Sequence, residues 1–485
     1  MTDVAVVGAT ATGVAAAVGA AEAGARTALV DAGDHVGGMV SGGLSWTDLG
    51  DTRVLGGFAR RFHAAVAEHY DAPLWGVKGP EPHVAEAILV RMLDAAGIER
   101  VTELPEAAVY VDAGYEGDLM AARGVPYEVG RESRALHGER WAGRQPAYRP
   151  GRHNFQVLLS PFGDDGALLP HVREPELDER GRPAERLGEG DGGLQGYGFR
   201  VCLTDRPENR LPLEPPDGYD ADAFELLRRL LAAAPLEARD LLGLVTDLLP
   251  NGKCDVNSIG PFSLNLLDGS NRDYPDGDDA ARAGVRERHL RHTQGLLHFL
   301  AHDEDVPVRV RGEVARWGPC ADEFADTRGW PHQLYVREGR RMRGAYVLTE
   351  HDLVGARPQP DVVALGSYNI DVREVERTWR LLPEYEPVPA VFNEGYLSVP
   401  VPPYPIPYRA LTPRREHAQD LLVPLCLSAS HVAFASLRME PTLMLLGHVA
   451  GIAAAQAARR GVAVQDVDVP ALQDVLRGEG QVLAA

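Results

Sequence analysis

The N-terminal 31 residues carry the pattern that most constrains the fold: an apolar run, a glycine-containing turn, an alanine-rich segment and a second apolar run. Val4 to Val7 is typical of a buried parallel strand, and the turn from Gly8 to Gly13 leads into a helix predicted over 14–23. The free N–H groups and dipole of such a helix favour a pyrophosphate. A returning strand, predicted over 26–30, ends at Asp31, whose carboxylate can accept hydrogen bonds from a ribose. The sequence therefore predicts a dinucleotide-binding βαβ unit.

The turn departs from the usual G-x-G-x-x-G pattern, because Thr10 stands at the middle glycine position. One alternative is a strand-to-helix turn that needs glycine only for its geometry. A second, the phosphate loop of nucleoside triphosphatases, is rejected because Val14 and Ala15 occupy the positions of the required Lys and Ser/Thr. The strand, turn, helix, strand and acid in register favour the dinucleotide. The predicted cofactor contacts here are Gly8, Thr10, Thr12, Gly13, Asp31 and Ala32.

Two glycine pairs follow this acid, and main chain without Cβ atoms can run along an extended cofactor. An acid followed by such a segment resembles the FAD-dependent oxidoreductases of the glutathione-reductase-like superfamily, in which it passes the flavin diphosphate. A flexible surface loop is the alternative, and the position directly after the ribose acid disfavours it. The contacts predicted in this segment are Gly37, Gly38, Met39, Ser41, Gly42 and Gly43.

Further blocks along the chain resemble a bacterial family of FAD-dependent oxidoreductases, some members of which are labelled xanthan-lyase-like. The blocks lie at 115–120, 127–132, 197–204, 255–262, 333–338, 366–371 and 427–441. The resemblance implies noncovalent FAD, a two-domain flavoprotein fold and redox chemistry on a small organic molecule. It also implies a cofactor contact at Asp118, in a Gly-Asp-Leu sequence at 117–119, with a helix-capping turn as the alternative. Between Gly97 and Val109 only 11 residues remain, fewer than in similar proteins, which leaves the adenine side less enclosed or covered by another segment.

The block from His431 to Thr442 precedes a helix predicted to start at Pro441 and to stop at Gly461. In similar oxidoreductases the N-terminus of the last helix stabilises negative charge on the flavin N1/O2 edge, which implies contacts from Glu440, Pro441, Thr442 and Leu443. An ordinary buried helix is the alternative. His431 is the candidate for accepting a proton or orienting the substrate, and Arg438 is the candidate for positioning an oxygen or stabilising reduced flavin. A structural histidine is the alternative for His431. The substrate-contact candidates are Tyr335, Arg340 and Tyr368, although most of the charged run Arg337–Arg341 is interpreted as a solvated face.

The pattern of elements predicts an α/β fold: a discontinuous Rossmann-like FAD-binding domain with an inserted α+β substrate or cap domain. The predicted boundaries are 1–130 for the first part of the FAD domain, 131–400 for the cap and 401–485 for the C-terminal part of the FAD domain. The other predicted helices lie over 57–70, 82–96, 221–249 and 278–302, and the other strands over 107–113 and 199–204.

Composition limits the partners of this chain of 485 residues. Asp and Glu outnumber Lys and Arg by 70 to 49, and a net charge of −21 disfavours nucleic acid and anionic membranes. The four cysteines form no C-x-x-C pair, so we predict buried reduced thiols and no metal site. The absence of a signal pattern and of an apolar run near ~20 residues predicts a cytoplasmic protein.

The sequence thus predicts an FAD-dependent oxidoreductase of dehydrogenase or oxidase type, which takes hydride from a small polar or secondary-metabolite substrate. A flavin monooxygenase or halogenase-like enzyme is one alternative, and a non-catalytic flavin-binding protein is another. The expected partners are a small-molecule substrate and an electron acceptor of unassigned identity, with homo-oligomerisation left open.

Overall fold

The computed structural model describes residues 2–146, 151–244, 248–355, 357–382 and 388–484. The chain forms two compact units, each assembled from separate segments. Unit 1 comprises Met1–Trp141, Glu338–Asp371 and Ser398–Ala485, and unit 2 comprises Ala142–Arg337 and Val372–Leu397. This division differs from the predicted one, which placed all of 131–400 in the cap. Glu338–Asp371 belongs to unit 1 because its strands pair there, Arg341–Met342 with Tyr127–Glu128 and Val362–Gly366 with Tyr404–Pro407.

The strands are numbered along the chain, and β12 and β15 lie where the chain passes from one unit to the other. They are β1 Thr2–Val7, β2 Thr27–Val30, β3 Glu99–Val101, β4 Ala107–Asp112, β5 Tyr127–Glu128, β6 Val201–Thr204, β7 Leu248–Leu249, β8 Lys253–Val256, β9 Gly318–Pro319, β10 Arg341–Met342, β11 Val362–Gly366, β12 Ile370–Val372, β13 Glu376–Leu382, β14 Val388–Glu394, β15 Leu397–Val399, β16 Tyr404–Pro407 and β17 Leu421–Leu422.

The α-helices are numbered in the same way. They are α1 Ala11–Glu22, α2 Gly57–His69, α3 Pro82–Ala95, α4 Asp118–Ala122, α5 Arg134–His137, α6 Glu225–Ala233, α7 Ala238–Leu242, α8 Asp279–His302, α9 Val308–Val314, α10 Glu350–Val354, α11 His431–Leu437, α12 Glu440–Arg460 and α13 Val469–Gly478.

The centre of unit 1 is a parallel five-stranded sheet in the order β17-β4-β1-β2-β3. Val4, Ala5 and Val6 on β1 are fully buried, since β1 lies in the middle of the sheet. The order places β1 between β2 and β4, so the chain segments that follow these three strands meet at one edge of the sheet. In open parallel sheets, ligands bind in the crevice outside the carboxyl ends of the strands.

Helix α12 packs against α1 at very short range because glycines replace larger residues along the contact. A Cβ atom on Gly447 would lie 2.1 Å from the carbonyl oxygen of Thr12, and one on Gly451 would lie 1.9 Å from that of Ala16. By length and composition α12 could cross a membrane, but 94% of its apolar window is buried inside the protein. It is a core helix of unit 1, and it ends as predicted at Gly461, which adopts φ +62°.

Unit 2 contains an antiparallel sheet in the order β7-β8-β6-β9, the hairpin β13-β14 and helices α6 to α9. The helix predicted over 221–249 is wrong in extent. Pro235 interrupts it, and α7 ends at Gly243, which adopts φ +64°. Residues 245–247 of that prediction lie outside the described residues, and β7 follows them. The helix predicted over 278–302 is confirmed as α8.

The remaining element predictions agree with the structure within a few residues, as β1, β2, β4, β6, α1, α2 and α3 show. The first helix starts at Ala11 rather than at Val14, because Thr10 caps it through a hydrogen bond that its side chain accepts from the Gly13 N–H. All four cysteines are buried free thiols, which confirms the prediction for them.

Candidate functional site

The turn between β1 and α1 is held by backbone contacts that leave no space for side chains. Gly8 adopts φ +98°, and a Cβ atom there would lie 2.9 Å from the Gly114 nitrogen. A Cβ atom on Gly13 would lie 1.9 Å from the Gly8 carbonyl oxygen. The Thr10 hydroxyl donates to the carbonyl oxygen of Ala113 at 2.8 Å and accepts from the Gly13 N–H at 3.0 Å. Threonine therefore serves at the middle glycine position because its side chain links this turn to the end of β4.

Hydrogen-bond donors remain available at the start of α1. The N–H groups of Ala11 and Thr12 have no acceptor within the described ranges, as expected for the first turn of a helix. The Thr12 hydroxyl is fully buried and also has no hydrogen-bond partner there. These unmatched donors, next to glycines that admit only backbone, fit the pyrophosphate of a dinucleotide.

Asp31 lies at the carboxyl end of β2, next to this turn. Its Oδ2 accepts the Ala9 N–H at 2.6 Å, and its Oδ1 accepts the Gly33 N–H at 2.7 Å. The carboxylate thus fixes the backbone of the β1–α1 turn and of the segment that follows β2. It stands where a ribose is bound in this type of fold. Ala32, the neighbouring predicted contact, is exposed.

The segment from Gly37 to Gly43 crosses the same edge of the sheet. The Gly37 N–H donates to the carbonyl oxygen of Ala9 at 2.7 Å, and the Ser41 hydroxyl donates to that of Val36 at 2.6 Å. Gly37 and Gly43 adopt φ +112° and +121°, and a Cβ atom on Gly38 would lie 2.6 Å from the Tyr115 hydroxyl. The Gly42 N–H donates to the Met39 carbonyl oxygen. Glycine is thus required in this segment for protein packing as well as for any approach to a cofactor.

A buried relay joins this segment to the start of α12. The Met39 N–H donates to the Tyr115 hydroxyl at 2.9 Å, and that hydroxyl donates to Glu440 Oε1 at 2.8 Å. Glu440 Oε2 is buried and has no hydrogen-bond partner within the described ranges. Burial raises the pKa of the Glu440 carboxyl to about 7, even though the Tyr115 hydrogen bond opposes the shift. A neutral Glu440 can use its proton to donate from Oε2, which an ionised one cannot. Pro441, Thr442 and Leu443 follow it as buried residues in the first turn of α12.

The raised pKa of Glu440 predicts a pH-dependent stability. The native state keeps the proton up to about pH 7, whereas the unfolded carboxyl ionises near pH 4.3. The free energy of unfolding therefore falls by about 3 kcal/mol as pH rises between these values. Glu440→Gln cannot ionise, so we expect its stability relative to wild type to increase by that amount over this range, in urea unfolding at a series of pH values.

Glu103→Gln is the matched control, since Glu103 is exposed. Its unfolding profile should run parallel to that of the wild type at every pH. If the Glu440→Gln profile also runs parallel to the wild type, the proton is not held on Glu440.

His431 lies in a buried ionic cluster, which we name the His431 cluster: Glu132, Glu338, Arg341 and His431. His431 Nδ1 lies 2.8 Å from Glu338 Oε2, and the backbone N–H of His431 donates to Glu132 Oε2 at 2.9 Å. His431 Nε2 has no hydrogen-bond partner among the described residues, and the side chain keeps 3% of its surface accessible. A carboxylate on one ring nitrogen fixes the tautomer and leaves the other nitrogen as the proton acceptor.

Arg341 links the acidic residues of the His431 cluster. Its guanidinium pairs with Glu338 and with Glu132, the latter at 2.6 Å, and donates to the carbonyl oxygens of Gly130 and Ala429. Burial opposes the charge on Arg341, but the two carboxylates outweigh it and hold the pKa of the guanidinium above its ordinary value. The Ala429 contact, together with a 2.5 Å bond from the Ser430 hydroxyl to Glu139, fixes the turn that begins α11. The backbone and side chain of His431 are therefore held by buried hydrogen bonds and ion pairs.

The interpretation of Arg337–Arg341 as a solvated face is wrong. Glu338 and Arg341 are 1% and 0% exposed, and Arg337 and Arg340 are also buried. Their carboxylate and carbonyl partners are supplied by distant parts of the chain, as the bond from Arg341 to Glu132 shows.

Other predicted site residues have protein partners of their own. Arg438 donates to the carbonyl oxygen and the carboxylate of Asp371 at 2.9 and 3.0 Å. Arg340 pairs with Asp118 at 2.7 Å, so the predicted substrate residue and the predicted cofactor residue bind each other. Asp118 is the first residue of α4 and its side chain is 56% exposed.

The three substrate candidates are divided between the units. Tyr368, in unit 1, bonds to Asp48, and burial together with the Asp48 charge raises the pKa of its hydroxyl. Arg340 also belongs to unit 1, whereas Tyr335 belongs to unit 2 and lies under the guanidinium of Arg337 at 4.1 Å.

Sequence reasoning missed Tyr115 and Asp112 as parts of the site. Asp112 ends β4, accepts the Met120 N–H at 2.7 Å, and burial raises its carboxyl pKa to about 6. Both residues stand in or next to the Val-Asp-Ala block that ends a predicted strand. Polar residues at the carboxyl end of a parallel strand are the signal that could have identified them.

The parallel sheet, the glycine turn and the acid at the end of the second strand define a dinucleotide-binding fold. A model of the FAD dependent oxidoreductase family matches residues 3–104 and 101–476, and the chain belongs to that family. No curated protein sequence matches the chain.

Solved structures similar to this chain include OxyS anhydrotetracycline hydroxylase from Streptomyces rimosus, with 17% identity over 27% of this chain and 35% of that one (TM-score 0.22). FAD-bound OTEMO shows 14% identity over 28% and 27% of the two chains (TM-score 0.17). The 3-ketosteroid-delta4-(5alpha)-dehydrogenase from Rhodococcus jostii RHA1 shows 17% identity over 23% and 39% (TM-score 0.15). The similarity therefore covers less than half of each of these proteins.

The protein is an FAD-dependent oxidoreductase, and FAD is its cofactor. The donors at the start of α1 and the glycine turn fit the pyrophosphate, Asp31 fits the ribose, and the unmatched Glu440 Oε2 at the start of α12 is a further donor or acceptor for the cofactor. When bound, FAD supplies the redox chemistry of the site.

Proposed function

We propose that this oxidoreductase is a dehydrogenase or oxidase for a small polar organic molecule that carries an alcohol or amine group. Oxidation of such a group removes a hydride from carbon and a proton from oxygen or nitrogen, so the protein must provide a proton acceptor. The observation that supports this proposal is the pair formed by Glu338 and His431, which leaves Nε2 as the single ring nitrogen without a protein partner among the described residues.

The surroundings of His431 suit this role. Arg341 pairs with both Glu132 and Glu338, so the two carboxylates that contact His431 are held in place. The backbone of His431 is tied to Glu132, and its side chain is tied to Glu338. The ring can thus accept a proton without reorganising its support, and Glu338 acts as a positioning residue.

Arg438 is proposed to act on charge at the start of α12. It lies two residues before Glu440, and its bonds to Asp371 fix the guanidinium. A cation at a helix start adds to the favourable potential for an anion there, and the Asp371 carboxylate offsets part of that contribution. This supports a role in stabilising negative charge that develops in the reduced state of the protein.

The test is anaerobic mixing of the purified holoprotein with a panel of alcohols and amines. We expect at least one compound to bleach the visible flavin absorbance without oxygen or NAD(P)H. A monooxygenase instead needs an external reductant and inserts oxygen into its product. Reduction by NAD(P)H alone, followed by hydroxylation of a substrate under oxygen, would overturn the proposal.

A further inference from the structure

Unit 2 contains a cavity of about 960 Å³ that none of the flavin-site residues line. Three elements form its walls: the proline-rich segment 211–217, one face of α8, and the segment 321–332. Its volume is at the upper end of the range for small-molecule sites, which run from about 300 to 1,000 Å³.

The cavity is lined by apolar side chains and by one face of α8, which carries Arg286. Leu290, Trp330 and Pro331 supply apolar surface, whereas Phe199 borders the cavity as a core residue that is only 2% exposed. On α8, Arg286 precedes Leu290 by four residues, so the two side chains share one face of the helix. A flat ring system can stack on such surfaces.

A cation is fixed beside this aromatic surface. Arg286 Nη2 donates to the carbonyl oxygen of His332 at 2.8 Å, and His332 follows Trp330 and Pro331 directly. Arg286 has no carboxylate partner in the part of the chain that the structure describes. The acidic residues that line the cavity do not pair with Arg286 in the described structure. Glu287 pairs with Arg291 at 2.6 Å, and Glu214 and Asp217 are exposed on the proline-rich wall.

The backbone of the third wall is strained. Phe324 and Arg328 adopt φ +50° and +58°, in the left-handed region that bulky side chains disfavour. Such conformations cost energy and cluster at ligand clamps and active sites. Arg328 lines the cavity, and the Phe324 ring contacts His332, the residue that anchors Arg286. The strain therefore lies in the wall that positions the cation.

We propose that this cavity binds a planar aromatic organic anion, with its ring system on Trp330 and Pro331 and its carboxylate or sulfonate on Arg286. The aromatic surface supplies apolar contact area, and the guanidinium can pair a planar carboxylate through two N–H groups. This site is separate from the proposed hydride-transfer function, since none of its lining residues belongs to the flavin site.

The test is isothermal titration calorimetry of the holoprotein with 2-naphthoate and with its neutral analogue, naphthalene-2-carboxamide. We expect saturable binding of 2-naphthoate at one site per chain, and weaker binding of the amide. Arg286→Gln should weaken the binding of 2-naphthoate about 10-fold or more, which corresponds to at least about 1.4 kcal/mol, because the anion loses its ion pair. The affinity for the amide should stay within about 2-fold of wild type, since the amide carries no charge.

Two further variants complete the test. Trp330→Leu keeps an apolar side chain but removes the ring, so both compounds should bind more weakly. Arg309→Gln is the control: Arg309 lies on α9 of the same unit, its side chain is 76% exposed and it does not line the cavity. Its affinities should equal those of the wild type. Absence of saturable 2-naphthoate binding, or equal affinity in wild type and Arg286→Gln, would overturn the proposal.

Discussion

His431→Ala is expected to retain FAD and to reduce its flavin about 10²- to 10⁴-fold more slowly than wild type with an oxidisable substrate, which is the usual loss when a general base is removed. The substitution removes the Nε2 acceptor but no predicted cofactor contact. The measurement is stopped-flow anaerobic flavin reduction, with the flavin-to-protein ratio determined on the same samples.

Glu338→Gln separates orientation from chemistry at the same site. It keeps an oxygen near His431 Nδ1 but removes the carboxylate that fixes the tautomer of the ring, so we expect a loss of about 10-fold or more in the same step. The substrate concentration for half-maximal rate should change little, because Glu338 contacts His431 and Arg341 rather than substrate.

His417→Ala is the matched control, because His417 is an exposed histidine of unit 1. It should reduce its flavin at the wild-type rate. If His431→Ala also does so while retaining FAD, His431 is a structural residue that supports the start of α11, and the proton acceptor lies elsewhere.

Gly13→Ala is expected to give a folded protein with FAD affinity lowered about 10- to 100-fold. The added Cβ atom would lie 1.9 Å from the Gly8 carbonyl oxygen, which is backbone and cannot rotate away. Overpacking of this kind costs about 1–3 kcal/mol, and each 1.4 kcal/mol corresponds to tenfold in affinity. Because the relief must come from the β1–α1 turn, the cost falls on the pyrophosphate donors.

The affinity is measured by titrating apoprotein with FAD and following flavin fluorescence. Gly478→Ala is the control, since no atom lies within 4 Å of a Cβ atom at that helical position of unit 1. Thermal unfolding of both apoproteins distinguishes lost binding from lost folding. Wild-type FAD affinity in Gly13→Ala would place the pyrophosphate away from this turn.

The sequence predicts the local elements of unit 1 well because their causes are local. The apolar run of β1, the small residues of α1 and the glycine stop of α12 each lie within one stretch of chain. The same holds for α8, which an acidic N-cap and a long uninterrupted helical segment define. The failed helix over 221–249 contains Pro235, a local stop signal that the prediction did not use.

The candidate site was only partly predictable because its polar residues depend on long-range partners. Glu440 meets Tyr115 across 325 positions of the chain, and Arg341 meets Glu132 across 209. No periodicity or spacing motif records such a pairing. A charged run therefore looks solvated in the sequence and is buried in the structure, since burial follows from partners that only the fold brings together.

The close packing of α12 on α1 also has a consequence for biosynthesis. Helix α1 is translated more than 400 residues before α12, the helix that packs against it. Until Gly447 and Gly451 emerge, the apolar surface of α1 has no cover from α12, and β17 has not yet joined the sheet. Unit 1 therefore completes its core only after α12 has been translated, whereas the segment 142–337 of unit 2 has emerged long before. Chains that stop before α12 are therefore expected to expose this apolar surface and to be prone to aggregation.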